Sequence, residues 1–363
     1  MMSKILLTSA ILFFISVTAY PQISFKSEME NYYDDNIYNN ADKVSDFVSS
    51  FTLSSAYDIE SEFNNFQIYY AGNLSYFKEN LFKSSNTHRI GIVNTYLLSE
   101  DDNPLNAGIN YTFRNNRDDF EIFDFNQFSV YANYRHSLSP SSTLLAGTLM
   151  NGNSYKNFSF FSHYENKFFV KYSKTFATRT SIIMGAELDI KTYMEDLQSS
   201  SSNEAIEQSQ FYFNIAQSLA EYTGISAYAL IRKNLTDGTR YLTADDFIYY
   251  EEEIFNDMYS NDGYEFNLSI KHFFSENILL KAEAAFMHRG YSNLPAADAQ
   301  GYSLDVTRED KQYAAGVELR FNLSSFIPGL TASAGWNYIL NKSNDAYYEY
   351  DNQMLSAGLG WEI

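Results

Sequence analysis

The sequence predicts a transmembrane, antiparallel, up-and-down β-barrel of about sixteen strands, and three observations support this fold class. Apolar and polar residues alternate along short segments through most of the 363 residues, as in strands that separate two environments. The chain contains 31 tyrosines and 30 phenylalanines but no cysteine, which suits aromatic girdles and excludes disulfides and thiolate metal sites. Beyond the N-terminus, no window approaches the roughly eighteen apolar residues that a membrane-spanning helix needs.

The C-terminal stretch 311–363 shows the alternation most clearly. It contains three predicted strands in which apolar residues are two positions apart and the intervening residues are small or polar. The apolar sets are Tyr313, Ala315, Val317, Leu319 and Phe321; Leu330, Ala332, Ala334, Trp336, Tyr338 and Leu340; and Leu355, Ala357, Leu359, Trp361 and Ile363. A soluble β-sandwich would bury these sets against a second sheet, whereas a membrane barrel turns them to lipid. The rest of the chain favours the barrel.

Thirteen earlier segments repeat the pattern in chain order. Their apolar residues lie near 23–29, 47–57, 66–70, 90–92, 105–113, 128–134, 144–150, 168–172, 182–190, 211–219, 225–231, 264–270 and 278–286. Tilted strands of roughly 9 to 11 residues suffice to cross a bilayer. One miscounted hairpin would change the total to fourteen or eighteen strands.

The connections between these segments alternate in length. Tight turns follow the even-numbered strands, and longer polar connections follow the odd-numbered ones. This asymmetry is typical of membrane barrels with short periplasmic turns and longer outer loops. It predicts that both chain termini lie in the periplasm. The longest outer connection is the sixth, at 236–263.

Residues 1–19 have the pattern of a secretory signal peptide. Lys4 precedes an apolar run from Ile5 to Val17, and Val17-Thr18-Ala19 supplies the small residues of a cleavage site. The run is too short for a helical span, which disfavours the alternative of a membrane anchor. We therefore predict a cleaved signal peptide at 1–19 and a single barrel domain at 20–363.

The mature chain resembles the porin-like outer-membrane β-barrels of Gram-negative bacteria. Its last strand is similar to the signal that the barrel-assembly machinery recognises, with Leu359 and Trp361 at alternate positions before the end, although those barrels usually finish in Phe rather than Ile363. The connection 115–124 is shorter than the inward-folding third loop of trimeric porins. The resemblance implies an outer-membrane location, contacts with lipid and lipopolysaccharide, assembly through the last strand and passage of small solutes. It leaves open whether the protein forms a homo-oligomer.

Charged residues on the polar strand faces are predicted to line the barrel interior. They are Arg89, Arg114, Arg135, Lys171, Glu187, Arg232, Lys271, Lys281, Glu283, Glu318 and Arg320. Such residues either select anions or pair with one another to hold the wall. The whole set of inward charges, about eleven cations and about eight anions, is near balance or slightly cationic, so the formal net charge of -20 is expected to reside mainly in the loops.

The sixth connection carries an acidic cluster predicted to lie at the outer mouth. Its members include Asp245, Asp246, Glu251, Glu252, Glu253 and Asp257. Clustered carboxylates bind divalent cations or focus the electric field at a pore, and they also keep a loop solvated. The spacing matches no calcium loop, which favours the solvated loop.

The sequence shows no catalytic, cofactor or metal motif. The five histidines lack metal-ligand spacing, no G-x-S-x-G elbow or phosphate loop occurs, and no basic patch suggests nucleic-acid binding. The leading hypothesis is a porin-like channel for small solutes with a polar lumen. The alternative is a structural or surface-interaction barrel with an occluded lumen, which acts through acidic, tyrosine-rich outer loops. A hydrolase at the barrel rim, built from His288, Arg289, Asp34 and Asp35, is the least favoured hypothesis.

Overall fold

The computed structural model describes residues 22–98, 103–194, 205–236, 259 and 261–363. Sixteen antiparallel strands form one closed barrel, in which each strand pairs with its neighbours in the chain and β1 pairs with β16. The strands are β1 Ile23–Asp34, β2 Asp46–Glu60, β3 Asn64–Phe77, β4 Ser85–Leu97, β5 Pro104–Asn116, β6 Phe125–Ser139, β7 Ser142–Tyr155, β8 His163–Thr175, β9 Thr180–Tyr193, β10 Ile206–Ala220, β11 Thr223–Asn234, β12 Asp262–Ser275, β13 Ile278–Ala297, β14 Ser303–Asn322, β15 Leu330–Ser343 and β16 Tyr350–Glu362. The predicted fold class and strand number are confirmed. The predicted signal peptide at 1–19 lies outside the described residues.

The apolar faces of the strands point outward. Phe211 and Ile231 expose 60% and 61% of their surface, and Phe128, Leu355 and similar residues of other strands are also exposed. A soluble sandwich would bury these side chains in a core, so the observed exposure excludes that alternative. The polarity is that of a barrel whose outer surface meets lipid.

Both ends of the described chain lie at one end of the barrel, which we call the terminus end. There the backbones of Phe25 and Ile363 exchange two hydrogen bonds of 2.9 and 3.0 Å. The tight turns after the even-numbered strands lie at this end, and the connections after the odd-numbered strands lie at the opposite end, which we call the loop end. No helix among the described residues is both long and apolar enough to cross a membrane.

The turn between β14 and β15 packs against the last strand, β16, at the terminus end. Gly329 has a φ of +77°, and a Cβ there would collide with the carbonyl oxygen of Glu362. The position therefore requires glycine. The turn is held further by the Trp361 indole, which donates a hydrogen bond of 2.9 Å to the Pro328 carbonyl.

The hairpin of β13 and β14 extends beyond the rest of the wall. Each of these strands has 20 residues, whereas β2, among the longest of the other strands, has 15. The extension follows register shifts at Gly290, Pro295 and Ala297, which disturb the regular pairing. The hairpin therefore projects from the loop end and brings its inner face against the neighbouring connection.

Candidate functional site

The strand register determines which charged residues share the inner face of the barrel. Lys281 lies beside Glu318 and Arg89 beside Thr112, while exposed apolar residues such as Ile90 and Val317 occupy the intervening positions. All eleven charged residues named above for the interior lie on the face opposite the exposed apolar residues. The structure brings only some of them together.

A cavity of about 400 Å³ occupies the terminus half of the interior, against β13 to β16 and β1. Three ion pairs line it: Lys281 and Glu283 at 2.7 Å, Arg320 and Glu318 at 2.7 Å, and Lys26 and Glu28 at 3.4 Å. The two members of each pair are two residues apart on one strand, because alternate side chains share a face. These side chains are about one third to one half exposed, so solvent reaches the pairs.

Small residues give this cavity its space. The strands β15 and β16 turn glycine, serine and threonine toward it: Thr331, Ser333, Gly335, Ser356, Gly358 and Gly360. Added bulk would meet neighbours at once, because a Cβ on Gly335 would lie 2.9 Å from the Ser356 hydroxyl oxygen. The small residues of β15 and β16 therefore leave space for a solute beside the charged residues of β13 and β14.

A second cavity, of about 450 Å³, follows the first along the same strands toward the loop end. Met287 of β13 and Gln312 of β14 line it, together with Tyr228 and Glu265 from β11 and β12. Along β13 the residues that line the first cavity come directly before those that line the second. Along β14, which runs in the opposite direction, they come directly after them. The two cavities therefore lie in succession along one side of the barrel.

Beside the second cavity, the interior of the loop half is filled by a ladder of polar side chains on β8, β9 and β10. Lys167 lies 3.3 Å from Glu165 and 3.9 Å from Asp189. Asp189 accepts a 2.6 Å hydrogen bond from the Gln210 amide, which also donates to Gln208 at 3.3 Å. Asp189 and Gln208 have no exposed surface, and Gln210 exposes only 7%. Inward-facing groups this deeply buried must be covered by protein rather than by an open lumen.

Tyr259, from the connection between β11 and β12, provides part of that cover. Its hydroxyl donates a 2.6 Å hydrogen bond to Glu165. Its ring lies 5.4 Å from the ammonium nitrogen of Lys191, which also contacts the ring of Tyr193 at 5.0 Å. A residue of the sixth connection therefore enters the barrel mouth and contacts the inner wall. The acidic residues predicted for this connection, Asp245, Asp246, Glu251, Glu252, Glu253 and Asp257, lie outside the described residues.

Aromatic residues from several connections pack together at the loop end, and we call this group the aromatic cluster. Its buried aromatic members are Phe120, Phe123, Phe161, Tyr193 and Tyr259, and the buried side chain of Ile206 packs with them. Phe120 stacks on Phe82 with ring centroids 5.6 Å apart. The second and third loop-end connections, which join β3 to β4 and β5 to β6, are therefore in contact. The ammonium of Lys83 lies 4.8 Å from the Tyr38 ring and 5.5 Å from the Phe120 ring. This cluster was not predicted from the sequence, although aromatic residues within connections, away from strand ends, could have indicated it.

The projecting hairpin carries a buried ion pair on its inner face. Arg308 and Asp310 expose 1% each and form two hydrogen bonds of 3.0 and 2.5 Å. The guanidinium carbon lies 3.2 Å from the ring centroid of Tyr348, in the connection between β15 and β16, and 4.6 Å from that of Tyr291. Burial raises the pKa of the Tyr348 hydroxyl, so it is neutral at physiological pH. The hairpin is thus fixed to the next connection.

The remaining predicted interior cations are dispersed around the wall. Arg89 donates to the Thr112 hydroxyl at 3.0 Å, and Arg114 donates to Asn116 at 3.1 Å. Arg135 and Lys171 lie on β6 and β8, flanking the same residue of β7. Arg232 forms an ion pair of 3.2 Å with Glu265 near the second cavity.

The residues considered for a rim hydrolase do not form one site. His288 stacks on Tyr264 with ring centroids 4.9 Å apart and contacts Glu309 at 3.0 Å, so it lies on the outer face. Asp34 lies on the inner face of β1, four strands away in the barrel order. A nucleophile and a base need hydrogen-bonding distance, which opposite faces of a wall do not allow.

Comparison with solved structures identifies the fold. No family model and no curated protein matches the sequence. The outer membrane protein OpdK from Pseudomonas aeruginosa superposes with a TM-score of 0.54 at 9% identity, over 94% of this chain and 99% of that one. OpdK determined with vanillate gives 0.53 at 10%, over 94% and 98%, and OccK8 (OprE) from the same organism gives 0.52 at 8%, over 94% and 98%. The chain therefore has the fold of an outer-membrane barrel.

Proposed function

We propose that this protein is an outer-membrane channel that passes small polar solutes. The observation that carries the proposal is the succession of two cavities along the inner faces of β13 and β14, lined by charged and small residues. Water-accessible charged groups inside a barrel are what a solute path requires, since they replace the hydration that a polar solute loses on entry.

The path we propose is narrow and lies to one side. The polar ladder and Tyr259 cover the inner face of β8 to β10 in the loop half, and the aromatic cluster packs the connections above it. Solutes would therefore pass along β11 to β16 and β1, where the cavities lie. The restricted cross-section favours small molecules.

The orientation and the partners follow from the same proposal. We infer that residues 1–19 are removed as a signal peptide and that the terminus end faces the periplasm, in keeping with the short turns at that end. The outer wall would contact lipid and lipopolysaccharide, and the last strand would engage the barrel-assembly machinery. Whether the protein forms a homo-oligomer is left open, and crosslinking in membranes would decide it.

Electrical recording tests the channel. Purified, refolded protein in planar bilayers should produce discrete conductance steps in several salts, and the absence of steps in all of them would refute the proposal. Ser333→Trp places a large side chain in the first cavity and should reduce the conductance. Ala332→Trp, one residue away on the outer face of the same strand, is the matched control and should leave it unchanged.

The covered loop end favours one alternative, a barrel that acts through its outer connections around an occluded lumen. Deletion of residues 236–263, which removes Tyr259 from the barrel mouth, separates the two functions. A channel narrowed by this connection gains conductance on the deletion. A surface-interaction barrel conducts no better and loses binding to its ligand or to cells.

A further inference from the structure

The charges that line the first cavity do not balance. Three cations and five carboxylates face it: Lys26, Lys281, Arg320, Glu28, Glu30, Glu283, Glu318 and Glu362. Each cation forms its ion pair with a carboxylate two residues away on its own strand. Paired charges leave only a weak field beyond a few ångströms, because the opposite signs cancel.

Two carboxylates remain after this pairing. Within the described part of the chain, Glu30 and Glu362 have no ion pair at 4.0 Å or less. Glu362 lies in register with Lys26, but that ammonium group is 3.4 Å from Glu28, so a single cation adjoins two carboxylates. Glu30 lies in register with Gly358, which brings no charge.

Other inward cations lie outside this cavity. Arg135 and Lys171, on β6 and β8, are across the barrel from β15. Lys271 on β12 does not line the cavity but lies in register with Lys281, which does, so its charge also counts there. Salt limits the reach of exposed charges to about 8 Å at physiological ionic strength. The field that a solute meets inside the cavity is therefore set mainly by the lining groups and Lys271, and these five carboxylates and four cations still leave a net negative charge.

We infer that Glu30 and Glu362 are specificity-determining residues that make the channel prefer cations and amine-bearing solutes to anions. The inference rests on the proposed channel function. The two carboxylates attract cations into the cavity and repel anions. The three ion pairs offer polar contacts to cations and anions alike. Vanillate, a carboxylate present in one OpdK structure, should pass poorly here.

The test measures the reversal potential of the refolded channel in a potassium chloride gradient. Wild-type protein should be selective for K⁺. Glu30→Gln and Glu362→Gln should each lower the K⁺/Cl⁻ permeability ratio by about twofold, because one unit charge about 8 Å away acts with opposite sign on the two ions and salt screens its effect. Glu62→Gln removes the same charge from an exposed turn at the terminus end and should leave the ratio unchanged.

The outcomes separate this inference from the proposed function. A wild-type channel that conducts but prefers Cl⁻, or a double variant with the wild-type ratio, overturns the inference and leaves the channel intact. A protein that never conducts overturns both. Uptake of benzylammonium and benzoate into liposomes, two solutes of similar size and opposite charge, gives a second readout. The wild type should admit benzylammonium several-fold faster, and the double variant should reduce this difference.

Discussion

The two halves of the barrel interior hold their charges in different ways. In the terminus half, Lys281 and Arg320 form ion pairs that are partly exposed, beside a wall of small residues. In the loop half, Asp189 and Arg308 are almost completely buried, and their partners are buried with them. The charged residues of both halves lie at inward-facing positions of strands with the same apolar–polar alternation. Their difference in exposure therefore comes from the connections and side chains that cover them.

This difference indicates which half determines permeation and which half holds the entrance in shape. Exposed ion pairs contribute little to stability, whereas a buried charge that loses its partner is strongly destabilising. Charges in the terminus half are therefore free to act on solutes, and charges in the loop half fix the connections. Substitutions should affect conduction in the first region and local order in the second.

The largest effect is expected for Arg308→Met. The substitution leaves the Asp310 carboxylate buried without its cation and removes the stack on Tyr348, so the projecting hairpin should lose about 3–5 kcal/mol of local stability. Hydrogen exchange at 290–311 should accelerate accordingly, while the strands below keep their protection.

Two variants make this prediction specific. Lys311→Met removes an exposed ion pair with Glu309 from the outer face of the same hairpin and should not change the exchange. Arg308→Met combined with Asp310→Leu removes both buried charges and should restore most of the protection. Unchanged exchange in Arg308→Met would show that the buried pair does not fix the hairpin.

The sequence predicted the wall well because its signal is local. Residues two positions apart share a face in any strand, so the alternation at 313–323 or 355–363 gives both the strand and its orientation. By the same rule, the ion pairs Lys26–Glu28 and Lys281–Glu283 can be predicted from the sequence, since the two members of each pair are two positions apart on one strand.

The loop half was not predictable in the same way because its contacts join distant segments. The distance between Lys167 and Asp189 depends on the register of β8 with β9, and Arg308 reaches Tyr348 in a connection forty residues away. Register is set by cooperative pairing of whole strands rather than by a local pattern. The extension of β13 to Ala297 was also missed, since its pairing is interrupted by irregularities.

A smaller effect is expected for Phe120→Ala in the aromatic cluster. Phe120 is 1% exposed and packs on Phe82 and Phe123, so its truncation should cost about 3 kcal/mol, the low end for a buried aromatic because loops relax around the gap. The second and third connections should become sensitive to protease in the folded barrel, and the mean conductance should rise as they move apart. Phe128→Ala, on the outer face of β6, is the control and should change neither measurement.

The smallest effect on stability is expected in the terminus half, for Lys281→Met. Its pair with Glu283 is partly exposed, so the loss should be below about 1 kcal/mol, and the unfolding temperature of the barrel in detergent should hardly change. The substitution nevertheless leaves a third carboxylate unpaired in the first cavity, and the K⁺/Cl⁻ permeability ratio should rise. A large fall in unfolding temperature without a change in this ratio would reverse the roles of the two halves, because the terminus half would then hold the wall together rather than act on solutes.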